Sequence, residues 1–286
     1  MNLQASAPDG ASGGVSAVSS ASPVSAASAG DSDDAIRRAR ACFVLVNPSH
    51  PGNVGSAARA MKTMGFGMTD GVLRVVVPRF GGPLAQEESI AFASSAIDVL
   101  EAARVYDSLD AAVADCSLVY GLSARTRDFA PPQLDVRDAC VEAVGELAAP
   151  ATRVAFVFGT ERTGLSKEQL QRCDRFTQID ADPEYSSLNV AQALQIVAYE
   201  LRRAFGVIGT RALDEERPDY ASHEEVERFM EHLYEACVAV EFIQPAHPKK
   251  LFERLRRLFA RTRLEREEVQ LLRGLCKQMI VRSIRR

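Results

Sequence analysis

One stretch near the middle of the chain limits the possible folds more than any other. Arg153 to Phe158 is a short run of β-branched and aromatic residues, which is typical of a strand buried on both faces. Gly159 and Gly164 then bracket a polar turn, and Ser166 begins a helix-like segment with Gln169 at capping-box distance. A strand that opens through glycine into a helix N-terminus leaves backbone N–H groups accessible to a ligand. By itself this pattern equally suits an ordinary turn between a strand and a helix.

Strand-like and helix-like runs alternate along most of the chain. The predicted strands are Cys42 to Asn47, Val72 to Val77, Ser117 to Leu122, Arg153 to Phe158 and Phe176 to Ile179, with a further short strand at 104–106. The predicted helices are about 54–64, 109–114, 135–147 and 188–205, with helix fragments between 90 and 105. Such alternation predicts an α/β fold with a parallel sheet, whose ligands bind at the carboxyl ends of the strands.

Composition divides the 286 residues into four segments. Residues 1–40 are mostly Ala, Ser and Gly, which bury too little surface to offset the entropy of ordering, so a disordered tail is expected. The α/β segment follows at 41–206. The helical period then fails through two glycines and a proline, which predicts a linker at 207–221. Residues 222–286 have the pattern of three helices and form a predicted basic helical extension.

Charge and cysteine usage restrict the class of protein. The formal net charge of −4 argues against attraction of the whole chain to nucleic acid, so any RNA affinity must come from local basic patches. The six cysteines include no C-x-x-C pair and have no His at ligand spacing, which favours neither a disulfide framework nor a metal site. A reducing cytoplasm is therefore the expected compartment. The N-terminal sequence lacks the early basic residues of a signal peptide, and no apolar run reaches membrane-spanning length.

The middle predicted helix of the extension, 249–260, is amphipathic. Three leucines and Phe259 give it one apolar face. Glu253 is the only acidic residue in this helix and its immediate flank, so the many cations there are largely uncompensated. A solvated basic face is the plain alternative, but a phosphate-binding surface for RNA is the favoured hypothesis. The predicted RNA contacts are Arg254, Arg256, Arg257, Arg261 and Arg263.

Two other motifs lie at predicted strand ends. Asn53 to Ala60 (NVGSAARA) follows the first strand, and Glu184 to Ala193 (EYSSLNVAQA) follows the last. Together with Phe156 to Ser166 (FVFGTERTGLS), they resemble, in the same order, the three motifs of the SPOUT class of RNA methyltransferases, in its TrmH-like branch. The resemblance covers about residues 42–205. It implies an α/β fold whose parallel sheet carries a deep trefoil knot, followed here by a small all-α C-terminal domain.

The resemblance also implies an activity. Members with a similar C-terminal segment transfer a methyl group from S-adenosylmethionine to a ribose 2′-OH of tRNA, at the pyrimidine (C or U) in position 32 of the anticodon loop. Knotted domains of this class form dimers, so a homodimer is expected. The other expected partner is tRNA, the substrate of the implied reaction. The sulfonium of the cofactor is already a strong electrophile, so no metal is expected.

The cofactor of this class lies in the loops after three strands and is contacted largely by backbone groups. Close backbone approach at Gly159 and Gly164 suits that role, as do apolar walls from Ile179 and Leu188. Ser187 suits a helix N-cap whether or not a ligand binds. By resemblance, the cofactor-binding residues are Leu122, Ser123, Phe158, Gly159, Thr160, Glu161, Gly164, Ile179, Ser187, Leu188 and Asn189.

Asn53, Arg59 and Glu161 are the catalytic residues that the resemblance implies. Asn53 and Arg59 match positions that line the pocket of the target nucleotide, and the usual proposal for the class makes the arginine the base that takes the 2′ proton. A guanidinium stays protonated far above neutral pH, so Arg59 is alternatively a cation that holds a phosphate and stabilises the alkoxide. Glu161 is expected to orient Arg59 or Arg162, or to form an ion pair with a purely structural purpose.

Three other functions remain open from the sequence. One is 2′-O-methylation of another tRNA nucleotide or of an rRNA nucleotide. A second treats Gly52 to Ala57 as a variant dinucleotide loop, with Arg79 meeting a 2′-phosphate, which gives an NADP-dependent reductase. A third is a noncatalytic RNA-binding module that uses the same surfaces. Transfer of a labelled methyl group to tRNA separates the first from the other two.

Overall fold

The computed structural model describes residues 33–67, 69–123, 131–208, 218–247 and 250–284. The strands are β1 (Ala41–Val46), β2 (Leu73–Val76), β3 (Arg104–Tyr106), β4 (Leu118–Leu122), β5 (Gln133–Asp135), β6 (Val154–Phe158) and β7 (Arg175–Gln178). The helices up to the end of the sheet region are α1 (Pro51–Thr63), α2 (Glu87–Ala93), α3 (Ile97–Glu101), α4 (Leu109–Val113), α5 (Val136–Glu146), α6 (Lys167–Leu170) and α7 (Val190–Ile208). Three more helices follow, α8 (His223–Ala239), α9 (Leu251–Thr262) and α10 (Arg266–Ile284).

The seven strands form one parallel sheet in the order β3-β2-β1-β6-β4-β7-β5. The predicted α/β class with a parallel sheet is therefore confirmed. The middle of the sheet is buried on both faces, as the apolar strand sequences predict. Phe156 on β6 is in register with Phe43 on β1 and Tyr120 on β4, and its ring stacks on both, with centroids 6.3 and 4.8 Å apart. This aromatic row fixes β6 at the centre of the sheet.

The structure adds one strand that the sequence did not reveal. β5 is only three residues long, lies at the edge of the sheet and has a single apolar residue, Leu134, so it has no period to detect. Its last residue, Asp135, caps α5 by accepting a hydrogen bond from the Arg137 amide at 2.8 Å. The strand therefore places the start of α5 against the edge of the sheet.

Gly52 and Gly55 lie inside helix α1 and allow close helix packing. A Cβ on Gly55 would lie 2.1 Å from the Ser89 carbonyl oxygen of α2, and one on Gly52 would meet the Glu88 carboxylate at 2.7 Å. Gly55 lets the backbone of α2 cross α1 in direct contact, whereas Gly52 leaves room for the Glu88 side chain. A dinucleotide loop is therefore the wrong interpretation of this segment, and the reductase alternative loses its basis.

The described residues begin inside the predicted N-terminal tail, at residue 33. Residues 33–38 are helical, and the Arg37 side chain is buried and forms a 2.6 Å ion pair with Asp33. The rest of the predicted tail, 1–32, lies outside the described residues, as does most of the predicted linker, 209–217.

The last three helices have a hydrophobic cluster of their own. Phe229 of α8 and Phe259 of α9 meet edge to face at 5.0 Å, and Val269 and Cys276 of α10 close the cluster. The start of α8 joins the sheet region, because the His223 amide donates to the Cys116 carbonyl at 2.7 Å. Among the helices of the described ranges, none is long and apolar enough to span a membrane.

Candidate functional site

A cavity of about 460 Å³ opens where β4, β6 and β7 end. The residues that line it come from the loops after these strands and from the start of α7. They are Leu122, Ser123, Phe158, Gly159, Thr160, Glu161, Arg162, Thr163, Gly164, Thr177, Ile179, Ser186, Ser187, Leu188, Val190 and Ala193. The structure thus brings together all the predicted cofactor positions except Asn189, whose side chain contacts Asn53 instead. Five of the six additional wall residues belong to the second and third motifs themselves, and the sixth, Thr177, lies on β7. Membership of a motif is therefore the sequence feature that could have found the five.

The glycine loop after β6 turns back on itself at the cavity. The Gly164 amide donates to the Thr160 carbonyl at 2.9 Å, and Gly164 has a φ of +66°. A Cβ on Gly159 would lie 2.1 Å from the Gly164 carbonyl carbon. Gly159 therefore lets the loop close, and the closed loop presents backbone groups to the cavity. Ser166 then caps α6 in the predicted capping box with Gln169.

Glu161 does not make the predicted contact with an arginine. Its carboxylate accepts hydrogen bonds from the Ser49 hydroxyl at 2.8 Å, the Asn53 side-chain amide at 3.0 Å, and the backbone amides of Ser49 and His50 at 3.2 and 3.3 Å. Burial alone would raise the pKa of Glu161, but the hydrogen bonds from Asn53 and Ser49 outweigh it and lower that pKa. The carboxylate is therefore held ionised against the N-terminus of α1. Within the described residues, neither Arg59 nor Arg162 forms an ion pair with it.

The two motif asparagines are joined to each other. The Asn189 side-chain NH₂ donates to the Asn53 side-chain oxygen at 2.9 Å, and the Asn189 side-chain oxygen accepts from the Ala191 backbone amide at 2.9 Å. Asn189 thus caps the start of α7 and reaches α1 at the same time. Through Asn53 and Asn189, all three motifs meet at one side of the cavity.

Arg59 lies on the exposed side of α1 and is not among the residues that line the cavity of its own chain. Its backbone carbonyl accepts from the Thr63 hydroxyl, one turn further along the helix, at 2.8 Å. A single chain therefore presents a cofactor-sized cavity without the cation that the sequence assigns to the chemistry.

The five arginines predicted to contact RNA fall into two groups. Arg254, Arg257 and Arg261 are exposed and lie three and four residues apart, which places them on one side of α9. Arg256 instead donates to Glu227 of α8 at 3.0 Å, and Arg263 lies 3.0 Å from Glu146 of α5. The arginines of the second group hold helices together, so the exposed basic face is smaller than predicted.

Arg263 is the more buried of the two structural arginines. Its guanidinium lies 3.9 Å from the centre of the Tyr220 ring. Burial opposes the charge, but the neighbouring Glu146 carboxylate raises the pKa of Arg263. Glu146 is itself buried and accepts a 2.7 Å hydrogen bond from Ser117. The pair joins the last residue of α5 to the C-terminal end of α9.

Two family models match the chain, and between them they cover the sheet region and the last helices. The SpoU rRNA Methylase family matches residues 40–199. The C-terminal domain of the tRNA methyltransferase TrmJ matches residues 224–286. The chain is also 45% identical over 235 residues to the tRNA (cytidine/uridine-2′-O-)-methyltransferase TrmJ of Escherichia coli strain K12, which covers 81% of this chain and 92% of that protein.

Solved structures agree with these matches. The crystal structure of TrmJ from Z. mobilis ZM4 superposes with a TM-score of 0.71 at 29% identity, over 83% of this chain and 98% of that one. A probable methyltransferase from Bordetella pertussis Tohama I superposes with a TM-score of 0.56 at 50% identity, over 60% of this chain and 99% of that one. On these matches, and with the three motifs gathered at one cavity, the chain belongs to the SpoU rRNA Methylase family.

Proposed function

We propose that this chain methylates the ribose 2′-OH of a tRNA pyrimidine, with S-adenosylmethionine as the methyl donor. The observation that carries the proposal is the cavity of about 460 Å³ at the carboxyl ends of β4, β6 and β7, lined by residues of the second and third motifs. Such a position is where ligands bind in parallel α/β sheets. One matched relative is named tRNA (cytidine/uridine-2′-O-)-methyltransferase, and the last helices match the C-terminal domain of a tRNA methyltransferase.

The residues of the cavity fit this cofactor. Ile179 and Leu188 offer apolar surface for an adenine ring, while Thr160 and Ser187 add hydroxyl groups. Gly159 and Gly164 bring the backbone to the cavity edge, so N–H and C=O groups can recognise polar parts of a ligand. When bound, S-adenosylmethionine supplies an electrophilic methyl group. Cofactor contacts are accordingly proposed for the predicted residues that line the cavity, apart from the Glu161 carboxylate, which is hydrogen-bonded to Ser49, His50 and Asn53. Asn189 acts through its hydrogen bond to Asn53.

This chain's own residues have two roles, which are to hold the ribose 2′-oxygen in line and to stabilise the charge that develops on it. We assign the second role to Arg59, whose guanidinium stays charged at neutral pH and so acts as a cation better than as a base. Asn53 lies on the same helix, α1, and joins the other motifs through Glu161 and Asn189. The proton acceptor is a separate group that this assignment leaves to the bound RNA or to solvent.

The working form is proposed to be a homodimer whose active sites are completed across the interface. Arg59 is exposed and does not line its own chain's cavity, so a second copy has to supply it. Tyr199 on α7 and Val141 on α5 are large apolar residues that are 49% and 44% exposed, which suits burial in such an interface. Analytical ultracentrifugation should find a dimer at micromolar concentration. A fully active monomer there contradicts this assignment.

Further features are proposed because the three motifs and the two family-model matches support them. They are a trefoil knot in the sheet segment 41–206, a linker at 207–221 and a tRNA-binding extension at 222–286. The exposed side of α9 is the proposed phosphate contact, and position 32 of the anticodon loop is the proposed target. A tRNA substrate and six free cysteines support the cytoplasm as the place of action.

The experiment is methyl transfer from labelled S-adenosylmethionine to tRNA, followed by nuclease mapping of the modified nucleotide. Transfer to the ribose at position 32 supports the full proposal. Transfer to another tRNA or rRNA nucleotide keeps the reaction and changes the target. Binding of tRNA without transfer leaves the noncatalytic RNA-binding module as the better account.

A further inference from the structure

Glu161 has a bonding pattern that neither a catalytic base nor a cofactor ligand requires. Four donors of one segment converge on its carboxylate: the Ser49 hydroxyl, the Asn53 side-chain amide, and the backbone amides of Ser49 and His50. A carboxylate has about four acceptor positions, so little capacity remains for a substrate proton or a ligand. The arrangement points to a role in holding α1.

The N-terminus of α1 lacks a cap from its own sequence. The N-cap residue, His50, makes no side-chain hydrogen bond to the helix, and Pro51 occupies the first turn. The first N–H groups of a helix need acceptors and favour a negative charge. Glu161, more than a hundred positions away in sequence, supplies both from the loop that lines the cavity. The loop after β6 and the start of α1 are therefore held as one unit.

The same carboxylate also sets the orientation of the two asparagines. An ionised carboxylate only accepts, so the group of Asn53 that faces Glu161 must be its NH₂. That leaves the Asn53 carbonyl oxygen to accept from Asn189 at 2.9 Å, and the Asn189 carbonyl oxygen to accept from the Ala191 amide. One charge thus determines the direction of a hydrogen-bond chain from the cavity loop through α1 to the start of α7.

We infer that Glu161 is a positioning residue, which couples the cofactor loop to the helix that carries Arg59. This rests on the proposed function, because it takes the cavity as the cofactor site and α1 as the target-facing helix. A cofactor that orders the loop 159–164 also orders the N-terminal turn of α1, and RNA bound at α1 orders the loop in return. Cofactor and tRNA binding are therefore mutually favourable, and the coupling passes through Glu161.

The test compares Glu161→Gln with wild type by calorimetry, using S-adenosylhomocysteine in place of the cofactor so that no turnover occurs. Bound tRNA should tighten wild-type affinity for this probe by at least about fivefold, within the usual range for coupled sites. In Glu161→Gln that ratio should fall close to one, because the new amide presents a donor to the donors of α1. Ser49→Ala, which keeps the Glu161 carboxylate but removes one of its donors, should also lower the ratio below that of wild type. Glu101→Gln, an exposed substitution at the end of α3, should keep the wild-type ratio.

A second measurement does not depend on tRNA. Amide hydrogen exchange at Ser49 and His50 should become about tenfold faster in Glu161→Gln than in wild type, since a charged acceptor is lost. The inference is overturned if exchange at these amides is unchanged. It is also overturned if Glu161→Gln keeps the wild-type coupling ratio while kcat falls and the pH–rate profile loses a limb, because that pattern describes a catalytic acid or base. If the wild type transfers no methyl group to tRNA but the exchange effect persists, the proposed function is wrong. The role of Glu161 in holding the N-terminus of α1 is then still supported.

Discussion

Gly159 is the position at which the cofactor loop has least room. A Cβ there would lie 2.1 Å from the Gly164 carbonyl carbon and 2.2 Å from the Leu165 nitrogen, so Gly159→Ala must push the loop open. Affinity for S-adenosylmethionine should fall at least about tenfold, equivalent to about 1.4 kcal/mol. The matched control is Gly206→Ala on α7, where an added methyl meets nothing within 4 Å and should stabilise the helix by about 0.5–1 kcal/mol. Calorimetry with the cofactor measures the affinity of both variants, and thermal unfolding measures the stability of the control. Normal affinity in Gly159→Ala contradicts the placement of the site.

The lowered pKa of Glu161 predicts how its hydrogen bonds to the start of α1 respond to acid. A carboxyl group with a folded-state pKa below its ordinary value of 4.5 stabilises the fold above that pH, and this contribution is lost as pH falls through the folded pKa. The difference in melting temperature between wild type and Glu161→Gln should therefore be constant above about pH 5 and shrink below pH 4.5. Thermal melts across this range measure it. A difference that grows in acid rules out an ionised Glu161.

Among individual residues, the motif residues could be predicted from the sequence, but their contacts could not. Sequence spacing identifies Asn53, Glu161 and Asn189 as polar residues at strand ends. Their hydrogen bonds to one another join positions more than a hundred residues apart, and no local pattern specifies such pairs. The expectation that Glu161 meets an arginine fails for this reason, because opposite charge alone does not decide which donors the fold brings near.

Helix α9 separates into an exposed basic side and a side bound to neighbouring helices. Replacing Arg254, Arg257 and Arg261 together by Ala should weaken tRNA binding and lower the slope of log affinity against log salt by about 0.7–0.9 for each phosphate that is no longer neutralised. Cofactor affinity should not change. Filter binding at several salt concentrations measures the slope, with replacement of the exposed cations of α10, Arg273, Lys277 and Arg282, as the control. An equal loss of tRNA affinity in the control assigns the effect to net charge.

Arg263, at the C-terminal end of α9, belongs to the side that contacts neighbouring helices. Arg263→Ala leaves the buried Glu146 carboxylate without its cation, and breaking such a pair costs about 3–5 kcal/mol of stability. Arg257→Ala, an exposed change on the same helix, should alter the free energy of unfolding by less than about 0.5 kcal/mol. Denaturant unfolding compares the two. Similar stabilities for both variants contradict a structural role for Arg263.

The elements themselves were largely predictable because their apolar periods are strong. The five main strands and the long helices lie within a few residues of the predicted positions, and the 3,4 spacing of Arg254, Arg257 and Arg261 already places them on one helix side. The sequence does not reveal that Glu146 and Glu227 face α9, because both lie on other helices. Edge strand β5 is too short to have a period.

At the scale of the whole molecule, strand order is the feature that the chain sequence conceals. β6 lies between β1 and β4, and β7 between β4 and β5, so the last strands insert among earlier ones. Simple rules of chain connection favour neighbours in sequence as neighbours in the sheet. It is this insertion that brings the loops after β4, β6 and β7 to one cavity beside α1. The family motifs carry that information, whereas periodicity does not.

We propose that this molecule methylates a ribose hydroxyl of tRNA at the described cavity, aided by Arg59. The most direct test is transfer of labelled methyl from S-adenosylmethionine to tRNA taken from cells that lack this modification, with mass mapping of the product. Wild type should place the methyl on the ribose of the pyrimidine at position 32. Arg59→Ala should be at least about a hundredfold slower with unchanged cofactor affinity, the range for losing one transition-state donor. A folded wild type that transfers no methyl to tRNA, or an Arg59→Ala variant that transfers at the wild-type rate, contradicts the account.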